Sequence, residues 1–94
     1  MNKESLTEKL LDLVEGRETP ESWRNWWDEH ETELEALLSR GEFLKLKPCR
    51  HGFQWVPVFG SQKGAIAILE KSGLAFEASN LYQERYLAEL DAFC

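Results

Sequence analysis

The 94 residues hold only two cysteines, three prolines and one methionine, and no run free of Asp, Glu, Lys and Arg is longer than His51 to Gln62. Each shortage excludes something. Cys49 and Cys94 are too few for a disulfide framework, so two reduced thiols are expected. The uncharged run falls well short of the roughly 20 apolar residues that a spanning helix needs, and it contains Pro57 and Gly60. No basic, apolar leader precedes the first amphipathic pattern, because Met1-Asn2-Lys3-Glu4-Ser5 runs straight into it. A cytoplasmic protein without a membrane segment is therefore expected. Bases are also scarce, with 11 against 17 acids and a net charge of −6. That balance makes nucleic acid an unfavourable partner for the acidic N-terminal half and favours a basic protein.

What is present is enough for one packed domain spanning residues 1–94. Hydrophobic residues make up 43% and aromatic residues 12%. The charge is unevenly placed: residues 1–35 carry −7, residues 36–71 carry +4 and the last 23 carry −3. No repeat, linker or low-complexity tract divides the chain.

Ser5-Leu6-Thr7-Glu8 has the form of a capping box, which predicts a first helix from Ser5 with Leu6, Leu10, Leu13 and Val14 on one face and a stop at Gly16. Thr19-Pro20 predicts the next start, as N-cap and first helical residue. In the second helix Trp23, Trp26, Trp27, His30, Leu34, Leu37 and Leu38 recur at steps of three and four. At about 100° per residue they fill a stripe roughly 120° wide. Gly41 is the expected C-cap. A capping-box pattern at Thr32 to Glu35 raises the alternative of a break near His30, but the stripe keeps its phase, which favours one helix.

Beyond Gly41 the period changes. Phe43-Leu44-Lys45-Leu46-Lys47 alternates, and Phe53 to Phe59 is rich in strand formers, with Pro57 indicating an edge position or a bulge. These runs read as an antiparallel hairpin around a turn at Pro48 to Gly52. Residues 61–73 suit helix or strand. Ser61 as a start and Ser72-Gly73-Leu74 as a Schellman ending favour helix. A short extended piece over 74–78 and a last helix capped by Ser79-Asn80, with Tyr82, Tyr86, Leu90 and Phe93 on one face, complete the chain. The expected fold is α+β: two N-terminal helices, a small antiparallel β-hairpin or sheet, and two further helices packed on it.

No catalytic, metal or cofactor motif emerges. The tryptophans share a stripe with leucines, the ordinary signature of core. His30 lies in that stripe without a nucleophile to serve. Cys49 and His51 lack the paired spacing of a metal site and sit too close along the chain to form a nucleophile pair. Gly60-Ser61-Gln62-Lys63-Gly64 lacks P-loop spacing. The carboxylates of the second helix carry more information. Over residues 18–35 seven acids face only Arg24, and Glu29 with Glu33 and Glu31 with Glu35 repel one another at i,i+4. A solvated face explains any one of them. Their density suits steering of a basic partner, with Glu21, Asp28, Glu29, Glu31 and Glu35 as the contact set. The alternative is an anion- or nucleic-acid-binding surface on the hairpin, made of Lys45, Lys47, Arg50, Phe53 and Trp55.

Trp23-x-x-Trp26-Trp27, Leu34 and Gly41-x-Phe43-Leu44-x-Leu46-Lys47-Pro48 together resemble segments, over about residues 20–48, of small uncharacterised bacterial cytoplasmic proteins, some of immunity-protein type. The resemblance implies a non-enzymatic inhibitor that blocks a basic toxin or nuclease through surface carboxylates, and it carries over no individual functional residue. The expected function is therefore a non-enzymatic protein-binding module that takes a basic partner through an acidic helix face.

Overall fold

In the computed structural model, which describes residues 1–93, the chain forms five helices. They are α1 (Lys3–Val14), α2 (Pro20–Leu37), α3 (Arg40–Leu46), α4 (Trp55–Ser72) and α5 (Leu81–Phe93). No strand occurs among the described residues, so the expected α+β fold with its hairpin is overturned.

The physical reasons lie in the caps. Residues 43–47 belong to α3. Ser39 Oγ accepts from Glu42 N–H at 3.2 Å while Glu42 accepts from Ser39 N–H at 3.0 Å, a reciprocal box that nucleates the turn. Phe43 and Leu46, three apart, are buried, whereas Leu44 is 57% exposed. The apparent alternation was a helical step read with the wrong period. Gly41, expected to end the second helix, lies inside α3, and α2 ends with Leu38 as its C-cap. Residues 55–59 form the first turns of α4. Pro57 is tolerated there because the first N–H groups of a helix have no intrahelical acceptor. The missing acceptors come from α5: the Glu89 carboxylate accepts from Gln54 N–H at 2.8 Å and Trp55 N–H at 2.7 Å.

Other expectations hold in part. Residues 61–72 are helical, but Ser61, expected to start the helix, lies inside α4, while Gly73 adopts a φ of 74° with Leu74 N–H reaching the Leu69 carbonyl. Thr19 caps α2 with Pro20 first in the helix, and α2 is unbroken. At the chain start Asn2, rather than Ser5, is the cap, its side chain accepting from Ser5 N–H at 2.9 Å. Residues 74–78 form no strand. No described helix is long and apolar enough to cross a membrane.

Helix α4 is the centre. It packs against α1, α3 and α5, and less extensively against α2, so its apolar residues are spread around it rather than gathered in a stripe. Its small and polar residues do specific work. Gly64 meets the Lys45–Leu46 backbone of α3, where a Cβ would overlap the Lys45 carbonyl. Ser61 Oγ donates to the Leu46 carbonyl at 2.7 Å, and Gln62 Nε2 donates to the carbonyls of Val14 at 2.8 Å and Ser79 at 3.0 Å. Trp23 and Trp27 of α2 are about 1% exposed, as the stripe predicted, and Trp26 is half-buried at the rim, stacked on Trp23 with ring centroids 5.1 Å apart. Neither buried indole N–H finds an acceptor among the described residues.

Tyr82 fastens α5. Its ring is fully buried and stacks on Trp55 at 5.8 Å, and its hydroxyl accepts from Glu18 N–H at 2.9 Å. Burial, followed by the nearby Glu18 and Asp12 carboxylates, pushes the phenol up to about 12 against the bond from Glu18 N–H.

Two outcomes follow from this packing. Gly64→Ala should destabilise by about 2–3 kcal/mol through overpacking against backbone. Gly60→Ala, where a Cβ meets open space, should leave stability unchanged or raise it by up to about 1 kcal/mol. Thermal melts of the two variants check the contrast. Because the folded chain holds the Tyr82 proton more tightly than the unfolded chain, this group's contribution is fully present below about pH 10 and is lost as pH rises towards about 12. Chemical denaturation across that window should show a shallower alkaline loss in Tyr82→Phe than in the parent.

Candidate functional site

The carboxylates of α2 occupy two flanks, not one outer face. Glu21, Arg24, Asp28, Glu31 and Glu35 follow at steps of three and four, which lines them up along one side of the helix. Glu29 and Glu33 lie towards the other side. Glu21, Asp28, Glu29 and Glu35 are exposed and make no ion pair among the described residues. Glu31 is half-buried and accepts from Lys47 Nζ at 3.3 Å. Glu33 accepts from the Met1 ammonium at 2.8 Å, which holds its carboxyl below the usual range. Glu18 does not belong to the surface at all. It is 8% exposed and receives Lys9 Nζ at 2.9 Å and Ser22 Oγ at 2.9 Å, a structural network beneath the start of α2.

The residues of the alternative surface are dispersed, because the hairpin expected to display them does not exist. Lys45 lines a cleft with Glu42 and Lys71 on one side of α3. Lys47 and Arg50 line a different cleft beside Asp28 and Glu31. Phe53 lies tilted against His51 at 5.3 Å and approaches Tyr86 at 6.3 Å, while Trp55 is half-buried against Tyr82.

Arg24 is the sole Lys or Arg of α2, and it sits where two concavities meet. Its Nη2 donates to the Cys49 carbonyl at 2.8 Å, tethering the loop between α3 and α4. It makes no ion pair among the described residues, although Glu21 and Asp28 lie one turn away on either side. On one side of it a cleft of about 520 Å³ is lined by Trp27, Asp28, Glu31, Lys47 and Arg50. The acidic row thus borders a concave, mixed-charge surface. On the other side a cleft of about 550 Å³ opens between the starts of α2 and α4. Its walls include Trp23, Phe53, Pro20 and Pro57, with Arg24 and His51 facing it. His51 Nδ1 accepts from Phe53 N–H at 3.1 Å, which leaves Nε2 to carry the proton of the neutral ring. Sequence reasoning treated the prolines as backbone punctuation and Arg24 as charge compensation. The signal available was a single cation placed among carboxylates.

The remaining candidates have structural partners. His30 is half-buried, its Nδ1 2.9 Å from the Trp26 carbonyl oxygen and its ring 5.0 Å from the Trp26 ring. Cys49 is exposed and unoxidised, and no hydrogen bond joins it to His51. Cys94 lies outside the described residues. No group of three or more potential metal ligands occurs among the described residues.

Since Arg24 holds the loop through one hydrogen bond to the Cys49 carbonyl, Arg24→Gln should speed amide exchange across residues 49–53 while the protection of α4 is retained. Hydrogen exchange read residue by residue checks this. Comparison of the chain with known protein families, with curated proteins and with solved structures finds no match, so the geometry of these clefts and of the α2 flank has to carry the functional reading.

Proposed function

We propose that the protein is a non-enzymatic binding module for a basic protein partner, of the kind an immunity-type inhibitor presents to a toxin or nuclease, and that the exposed carboxylates on the two flanks of α2 are its contact surface. The observation that carries this reading is the set Glu21, Asp28, Glu29 and Glu35: four exposed carboxylates on one helix, none engaged in an ion pair among the described residues. Each of them presents an unneutralised charge to solvent, and a cationic surface brought against it gains a Coulombic attraction that salt screens. Such charge accelerates encounter and selects partners more than it adds affinity. Glu31, engaged by Lys47, is removed from the contact set.

Helix α2 is well suited to present this surface rigidly. Its opposite side is locked by Trp23, Trp27 and Leu34, each 1% exposed or less, so little side-chain or backbone order has to be gained on binding. The contact residues can also be changed without disturbing the core.

The triple reversal Asp28→Lys, Glu29→Lys and Glu35→Lys tests the reading. The parent chain, immobilised, should capture from the native cell a protein of high isoelectric point, whose purified form binds with an affinity that falls steeply with salt. The reversed chain should melt within a few degrees of the parent and bind that protein at least about a hundredfold more weakly, since each reversal replaces attraction by repulsion. Equal binding by parent and reversed chain would overturn the assignment.

A further inference from the structure

The cleft between the starts of α2 and α4 has the features of a small-molecule site, and of the carboxylates assigned to a protein partner only Glu21 borders it. Its volume of about 550 Å³ lies within the range of about 300–1,000 Å³ typical of ligand pockets. Two aromatic rings, Trp23 and Phe53, line it, and Pro20 and Pro57 contribute apolar wall with fixed backbone torsions. Beside these apolar walls the fold brings two nitrogen donors from separate segments. Arg24 comes from α2, with one Nη held by the Cys49 carbonyl and the rest of its fork without a protein acceptor among the described residues. His51 comes from the loop before α4, oriented by Phe53 N–H so that Nε2 is the free donor.

We propose that this cleft binds a small organic monocarboxylate with a flat apolar body, the carboxylate on Arg24 and His51 and the body against Phe53, Pro20 and Pro57, with the buried Trp23 as its floor. A carboxylate matches the planar guanidinium fork, which accepts it through two parallel hydrogen bonds. A flat ring or short acyl chain gains the burial that the aromatic and proline walls provide. Other classes fit less well. A cationic ligand meets Arg24 and His51. A free phosphate dianion carries no apolar part for the walls, and its double charge meets the Glu21 carboxylate, which also lines the cleft, with about twice the repulsion a monocarboxylate feels.

Phenylacetate titrated into the full chain, followed by amide and indole NMR shifts and by calorimetry, tests the assignment. Saturable shifts are expected at the Trp23 indole, at Arg24 and across residues 51–54, with a Kd of about 0.1–1 mM for a ligand of this size. Phenylacetamide, of the same shape without the charge, and inorganic phosphate should each bind at least about tenfold more weakly. Arg24→Lys, which keeps the charge and loses the fork, should weaken phenylacetate about tenfold, and Arg50→Gln should leave it unchanged. The comparison of phenylacetate with phenylacetamide needs no variant, so a disturbed loop in Arg24→Lys does not compromise it. Shifts that stay linear with concentration, map outside the cleft, or are matched by phenylacetamide or phosphate overturn the proposal. None of these outcomes depends on the α2 carboxylates binding a protein.

Discussion

Helix α4 packs against the backbone of α3, and it can do so only because residue 64 is glycine. The Lys45–Leu46 backbone lies where a side chain would otherwise stand. Ser61 then reaches the Leu46 carbonyl at the end of α3, and Gln62, on the next position, reaches the Val14 carbonyl at the end of α1 and Ser79 before α5. Carbonyls at three separate places, the ends of α1 and α3 and Ser79 before α5, are thereby satisfied by one short stretch of α4. A buried carbonyl without a partner costs on the order of 1–3 kcal/mol, so these bonds specify which ends meet α4 as much as they stabilise the meeting.

Helix ends elsewhere are also completed from a distance. The Glu89 carboxylate of α5 caps the start of α4, placing negative charge at the positive end of the helix dipole. Tyr82 of α5 receives the N–H of Glu18, just ahead of α2. The starts of α2 and α4, which form the two sides of the larger cleft, are thus both held by α5. The cleft is a product of tertiary capping, and its two donors are carried on elements tied down in this way or, for the loop, by Arg24 itself. Exposure is concentrated differently: the α2 carboxylates lie over a core of tryptophan and leucine and are free of structural duties, except for Glu31 and Glu33.

Part of this arrangement was open to reading in the sequence. The Trp23, Trp27 and Leu34 stripe, the Thr19-Pro20 start and the Gly73 stop are local signals, and each holds. The β-hairpin was misread for a physical reason. In a seven-residue helix such as α3 there are barely two turns, and Phe43 with Leu46 fits a step of three as well as Leu44 with Leu46 fits a step of two. The Ser39 to Glu42 capping box would have decided between them. Residues 55–59 misled because a buried central helix shows no stripe, and because β-branched and aromatic residues with a proline in the first turn resemble an edge strand until the cap supplied by Glu89 is known.

The sequence by itself determined the acidic excess, its concentration on one helix, the core face of that helix and the helix boundaries marked by their own caps, because each depends on residues within a few positions of one another. Only the tertiary structure decided that residues 55–59 are helical, that the Glu18 N–H is closed off by Tyr82, that Glu31 is engaged by Lys47, and that Arg24 and His51 face one cleft. Those outcomes rest on contacts between residues 16 to 64 positions apart, and no local spacing encodes which distant partner a backbone group or a charge will find.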